Sequence, residues 1–248
     1  MLSTPLDSSI INAAVTQYWR VSVVELTAST QSDVVALVQK GKALSGDVLA
    51  AEYQSKGRGR LSRSFDAPRS TALLFSFYIQ PKRNREEWGW LPLIAGVSVA
   101  QTLSKYGARV KWPNDILIKE KKVSGLIAEV VRDGVVIGIG INVAMAPSEL
   151  PVPTATSLLI EGAVNLTRNQ LLADLLNTFE KNFARWDQGE NEIAETYLAL
   201  SSTVGAKVRV EYPDGRTEIA LAVAISPKGE LVLDSGAHVQ AGDIVHLR

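Results

Sequence analysis

The stretch 46–69, GDVLAAEYQSKGRGRLSRSFDAPR, constrains the chain more than any other, because it feeds an apolar run directly into a loop of alternating glycine and arginine. Asp47 to Tyr53 carries Val48, Leu49, Ala50 and Ala51 after Gly46 and reads as a short buried strand rather than a helix. Gly57 and Gly59 are expected to free the backbone for positive φ and close approach to a ligand. Arg58, Arg60 and Arg63 add planar cationic forks that match phosphate or carboxylate. The loop is therefore read as an anion site. A dinucleotide-binding fingerprint is one residue short and lacks the helix that must follow, since Ser62 to Arg69 contains Pro68 and no apolar periodicity. The phosphate-loop ending Gly-Lys-Ser/Thr is absent. A solvated basic loop, or one touching nucleic acid without sequence preference, explains this stretch by itself equally well.

Charge balance bears on that choice. Lys+Arg and Asp+Glu both number 26, so the formal net charge is zero and the cationic excess of a dedicated nucleic-acid binder is missing. At 248 residues the chain suits one large domain or a medium one with a small companion. Without cysteine there are no disulfides, thiolate nucleophiles or cysteine metal sites, which fits a reducing compartment. His238 and His246 alone cannot complete a usual zinc site, so no structural metal is expected. MLSTPLDSSI lacks a signal-peptide pattern and no run reaches membrane-spanning length, so a soluble, cytoplasmic protein is expected, with no membrane partner.

In chain order, residues 1–20 read as a loose lead, too short for a winged-helix DNA-binding unit. Val21 to Leu26 reads as a strand, and Asp33 to Lys40 as a helix with Val34, Leu37 and Val38 on one face, stopped by Gly41. Between them, Ser29 or Thr30 is most simply an N-cap. Thr71 to Ile79 is a buried strand, and Glu86 to Tyr106 a long helix in which Pro92 implies a later start or a kink. Residues 109–143 carry antiparallel-strand punctuation, with a turn at Arg132-Asp-Gly134. Lys111-Trp-Pro-Asn-Asp115 interrupts the ladder at Pro113; a binding turn and a plain Asn-Asp turn account for it equally well. Lys122 alone reads as a solvated hairpin lysine, while Gly125, Gly138 and Gly140 admit close approach to the backbone. Thr167 and Gln170 form a capping-box pattern for a helix running to about Asp187, and Glu192 to Leu200 forms a shorter one. Val204 to Arg248 changes to about five short strands, a small β-barrel, with Ser201 to Thr203 as the linker.

Taken together, Ser29-Thr-Gln31, Ala51-Glu-Tyr-Gln54, Gly57-Arg-Gly-Arg60, Lys111-Trp-Pro-Asn-Asp115, Lys122-Val-Ser-Gly125 and Gly138-Ile-Gly-Ile-Asn142 resemble the biotin protein ligase family in order and spacing. The match runs from about Glu25 to Asn142, and the DNA-binding extension of the family's repressor members is not seen in this chain. The resemblance implies an α+β fold: a mixed, mainly antiparallel sheet flanked by helices, related to class II aminoacyl-tRNA synthetases, in residues 1–200, then an SH3-like β-barrel in 201–248. It implies two steps. Biotin and ATP give biotinyl-AMP and pyrophosphate, with Mg2+ accompanying the nucleotide, and a lysine of a biotin carboxyl carrier domain of an acyl-CoA or pyruvate carboxylase then takes the biotinyl group. By the same resemblance Lys122, Arg58 and Arg60 are the charge-stabilising residues, and Asp115 orients lysines or activates the amine. Ser29, Thr30 and Gln54 fall around the biotin ring, Gly125 lines its tail, Asn114 and Asn142 fall near the adenylate, and Gln31, Gly57, Gly59 and Lys111 belong to the same ligand-binding set. Ser62 replaces a family glycine, and Phe65 stands where many members stack a tryptophan on adenine. A monomer or weak homodimer is expected. A lipoate ligase-like acyl transferase, and after it a nucleic-acid module built on the arginine loop, are the competing functions.

Overall fold

The protein was analysed as a computed structural model that describes residues 2–60, 63–190, 192–240 and 242–247. Seven strands form the main sheet: β1 (Arg20–Val24), β2 (Asp47–Ala51), β3 (Ala72–Ile79), β4 (Arg109–Lys111), β5 (Asp115–Ile118), β6 (Lys121–Val131) and β7 (Gly134–Asn142). Their order is β1-β2-β3-β7-β6-β5-β4; β1 and β2 run parallel and every other neighbouring pair is antiparallel. This is the mixed, mainly antiparallel sheet that the family resemblance implied.

The alternation of β3 and β7 decides what each face becomes. Leu73, Phe75, Phe77 and Ile79 of β3 join Val135, Ile137, Ile139 and Ile141 of β7 in the main core, under α3 (Trp90–Thr102) and α4 (Arg168–Asp187). On the other face, Tyr78 and Val136 pack beneath Val34, Val35 and Val38 of α2 (Thr30–Gln39). Ser76, Gly138 and Gly140 have the same parity as Tyr78 and Val136, so the smallest side chains of both strands lie next to α2. That placement leaves a trough in the sheet.

Several local expectations change. The lead expected to be loose carries a helix: α1 (Ser8–Ala14) is capped by Asp7, whose carboxylate accepts from the Ser9 and Ile10 amides, and Ile11 is fully buried. The helix expected from Glu86 begins at Trp90, which places Pro92 in the first turn, where its missing N–H has no intrahelical partner to lose. Gly107 ends the following 3-10 turn in the left-handed conformation. Of the capping box at the start of α4, only Thr167 bonds the Gln170 amide; the Gln170 side chain turns to Asp174.

After α5 (Glu192–Leu200), the strands β8 (Lys207–Glu211), β9 (Thr217–Ile225), β10 (Leu231–Leu233), β11 (His238–Val239) and β12 (Asp243–His246) form an antiparallel sheet in the order β11-β10-β9-β8-β12. Its apolar residues continue the main core. Trp90 and Trp112 donate their indole N–H groups to the carbonyls of Ser226 and Gly229. Ser201 and Ser202 pair with Val110 of β4, and Thr203 accepts the Trp112 amide just beyond it, so the expected linker is held against the main sheet.

Candidate functional site

The trough opens into a cleft of about 350 Å³ between α2, the arginine loop, the 111–115 turn and β12. Gly138 and Gly140 form its floor. A Cβ on Gly138 would stand 2.7 Å from Gln31 Oε1 and 3.0 Å from Ser76 Oγ, and one on Gly140 would stand 2.6 Å from the Phe65 ring. Both glycines are thus required by close approach.

One end of the cleft is neutral and polar. Ser29 caps α2, and Thr30 donates both its amide and its hydroxyl to Gln54 Oε1, at 2.7 and 2.9 Å. The Thr30 hydroxyl also pairs with Ser76 Oγ at 2.9 Å. With its oxygen committed, the Gln54 amide is oriented with Nε2 as a donor. Gln31, 2 % exposed, donates to the Val136 carbonyl, but its Oε1 is buried with no hydrogen-bond partner. A buried acceptor without a donor is costly, so this end suits a ligand that brings N–H groups.

The other end is cationic. Arg60 donates to Asn114 Oδ1 at 3.2 Å and reaches the Gly242 carbonyl at 3.5 Å. Burial, and Arg63 alongside, pull the Arg60 guanidinium below its ordinary pKa against the opposing pull of Asp243 and Asp115. Arg63 pairs with Asp243 of β12. Lys122 meets Asp115 at 2.5 Å, and Gly125 leaves room for it: a Cβ there would lie 3.1 Å from Lys122 Cε and Nζ. The main chain of Lys122 is clamped as well, its N–H donating to Thr154 and its carbonyl accepting from Thr156, both at 2.8 Å. Lys111 borders the same space.

Thirteen of the fifteen residues singled out from the sequence line this cleft; Gly57 and Asn142 do not. Gly57 closes the base of the loop, where a Cβ would lie 2.2 Å from the Phe65 carbonyl. Neither Gly57 nor Gly59 has positive φ, so the glycines serve close backbone approach rather than a left-handed turn. Asn142 donates to the Thr156 carbonyl at 2.9 Å and so braces the segment that holds Lys122. Arg58 is turned to Glu129 at 3.0 Å. Gly125 sits beneath the Lys122 head group. Phe65 brings the far end of its ring to the Gly140 floor, while Ser62 lies outside the described residues. The sequence reading missed Ser76, whose signal was a lone hydroxyl in an apolar strand, and Glu211, Asp243, Ile244 and Val245, which reach the cleft only through the docking of the second sheet.

A family model described as the biotin/lipoate A/B protein ligase family matches residues 23–144. A biotin–[acetyl-CoA-carboxylase] ligase of Mycobacterium tuberculosis is 38% identical over 241 residues, covering 93% of this chain and 90% of that protein. The bifunctional ligase/repressor BirA of Escherichia coli is 33% identical over 193 residues, 69% of this chain and 60% of that protein. Among solved structures, a biotin protein ligase from Aquifex aeolicus in complex with biotin and ATP matches with a TM-score of 0.78 and 27% identity, over 92% of this chain and 98% of that one.

Proposed function

The chain belongs to the biotin protein ligase family and is a ligase, and on that premise we propose that it activates biotin with ATP and transfers it to a lysine of a biotin carboxyl carrier domain. The observation that carries this reading is the polarity of one continuous cleft, with the orphaned Gln31 acceptor and the Gln54 donor at one end and Arg60, Arg63, Lys111 and Lys122 at the other. A ureido ring supplies N–H groups to Gln31 and a carbonyl to Gln54 Nε2. Its valeryl chain crosses the Gly138–Gly140 floor, and its carboxylate arrives among the cations.

There the carboxylate oxygen attacks the α-phosphorus of ATP, the bond to the β-phosphate oxygen breaks, and pyrophosphate leaves. Two anions must meet, so Lys122, fixed through its main chain and by Asp115, and Arg60, fixed by Asn114, offset their repulsion and the charge of the transition state. In the second step a neutral lysine amine attacks the acyl carbon of biotinyl-AMP, and AMP departs with the electron pair of the anhydride bond. Asp115, at the mouth with Lys122, is placed to orient that amine and accept its proton. Magnesium accompanies ATP as part of the substrate and would offset charge on the phosphate oxygens.

The relatives from Mycobacterium tuberculosis and Aquifex aeolicus are biotin ligases, so the lipoate and nucleic-acid readings are not favoured. No helix among the described residues is long and apolar enough to cross a membrane, and we place the reaction in the cytoplasm, where ATP and carboxylases meet. The test is biotin-dependent exchange of pyrophosphate into ATP by wild type and Lys122→Ala. Loss of one such stabilising donor predicts a fall of about 10²- to 10³-fold. Exchange within a few-fold of wild type would remove Lys122 from the first step.

A further inference from the structure

Thr203, fully buried between the two sheets, belongs to a polar network that none of the roles above uses. Its Oγ1 accepts the main-chain N–H of Trp112 at 3.0 Å and lies 3.0 Å from Nε2 of His246 on β12. Around it the Ser202 amide donates to the Val110 carbonyl at 2.8 Å, and the Trp112 indole donates to Gly229 at 3.3 Å. The second sheet therefore grips the turn that carries Lys111 and Asn114 into the cleft.

The hydroxyl has one proton to give. With the Trp112 N–H already donated into Oγ1, and no other acceptor for the hydroxyl among the described residues, that proton goes to His246 Nε2. Nε2 is then the bare nitrogen and Nδ1 carries the hydrogen. Protonation makes Nε2 a donor. Oγ1 has a lone pair for each of the two donors, but its own hydrogen would be stranded in a site without exposure to solvent, and a turn of the side chain that relieves it withdraws Oγ1 from the Trp112 amide. The charges facing the imidazole are Lys111 from β4 and Glu120 from the β5–β6 turn, while its register partner on β8 is Val208. Burial first, and then Lys111, hold its pKa below the ordinary value against the pull of Glu120.

We propose that Thr203 and His246 are positioning residues for the nucleotide end of the cleft, neutral His246 acting through Thr203 to fix the Trp112–Asn114 turn and releasing it on protonation. Naming ATP as the ligand of that end rests on the ligase reading above. The cause lies in the hydrogen-bond direction: a neutral imidazole accepts, an imidazolium cannot.

The test combines three variants and two readouts across pH. Thr203→Ser keeps the hydroxyl, Thr203→Val keeps the shape without it, and His246→Gln sets a neutral, non-titrating amide near the position of Nε2. The readouts are the nuclear magnetic resonance shift of the Trp112 amide and the separate KM values for ATP and biotin. In wild type the amide should titrate with a midpoint below the ordinary imidazole range, and KM for ATP should rise through the same midpoint while KM for biotin stays level. His246→Gln should be flat in both readouts. Loss of the bond in Thr203→Val should raise KM for ATP about tenfold at neutral pH, and Thr203→Ser should restore it. A wild-type amide that does not titrate, an acid rise retained in His246→Gln, or equal changes in both KM values would overturn the proposal. Failure of wild type to release pyrophosphate would contradict the ligase reading instead, leaving the amide titration to decide this one.

Discussion

Arg168 and Glu52 form an ion pair at 2.7 Å with side chains 0 % and 3 % exposed, at the point where the arginine loop rejoins the sheet. Arg168 also donates to the carbonyls of Thr4 and Ala72, while Glu52 accepts from the Leu6 amide and the Ser70 hydroxyl. One pair thus ties the N-terminal segment, the ends of β2 and β3, and α4 together. Replacing Arg168 by methionine keeps much of the packing volume but strands a buried carboxylate with two neutral donors. Breaking such a pair from one side costs about 3–5 kcal/mol, roughly a fifth or more of the about 5–15 kcal/mol that stabilises a typical protein. In urea, at a slope of about 3 kcal/mol per molar, the midpoint should fall by about 1–2 M. The double variant Arg168→Met with Glu52→Leu should be distinctly more stable than Arg168→Met alone, because no charge is then left unpaired. The pair also carries a pH signature. Burial pushes the Glu52 carboxyl up, but the bonds from Leu6, Arg168 and Ser70 outweigh it, so its pKa in the fold lies below the ordinary glutamate value. Its stabilisation is present above the unfolded-state pKa and is lost as pH falls through the depressed folded value. That acid loss should shrink in the double variant. An Arg168→Met cost under about 1 kcal/mol, or a double variant no better than the single, would refute the reasoning.

Gly138→Ala would push a methyl group against Gln31 and Ser76. Overpacking of about 1–3 kcal/mol predicts a rise in KM for biotin of roughly five- to 150-fold with KM for ATP little changed, and steady-state kinetics with each substrate varied would show it. Phe65→Trp should slow release of the adenylate by enlarging the stacking face beside Gly140, as read by stopped-flow chase; an unchanged or faster rate would remove Phe65 from the adenine site. Limited proteolysis between Lys56 and Arg69 should slow when biotinyl-AMP is added, because its phosphate gives the loop arginines a further anionic partner. Equal cleavage with and without the adenylate would contradict that ordering.

The glycines at 138 and 140 were legible as a place for close approach because they interrupt an isoleucine alternation, and the fold adds only what approaches them. The Lys111–Asp115 turn was ambiguous by itself, because the partner that sets it apart, Lys122, reaches Asp115 only through the β5–β6 pairing. Asp243 and Ser76 were not readable. Asp243 acts across a contact with Arg63 that spans most of the chain, and Ser76 differs from a buried, self-satisfied serine only once Thr30 is seen beside it. Arg168 hid for a physical reason too, since an arginine in the first turn of an amphipathic helix ordinarily faces water. Local periodicity finds elements, while buried polar pairs between distant segments leave no period to detect.

The central claim is that this cleft joins biotin to AMP. Mass spectrometry of the purified protein incubated with ATP, magnesium and either biotin or lipoate tests it most directly. Biotinyl-AMP with released pyrophosphate, absent in Lys122→Ala and without a lipoyl counterpart, is the predicted result; lipoyl-AMP alone, or no adenylate from either acid, would contradict it.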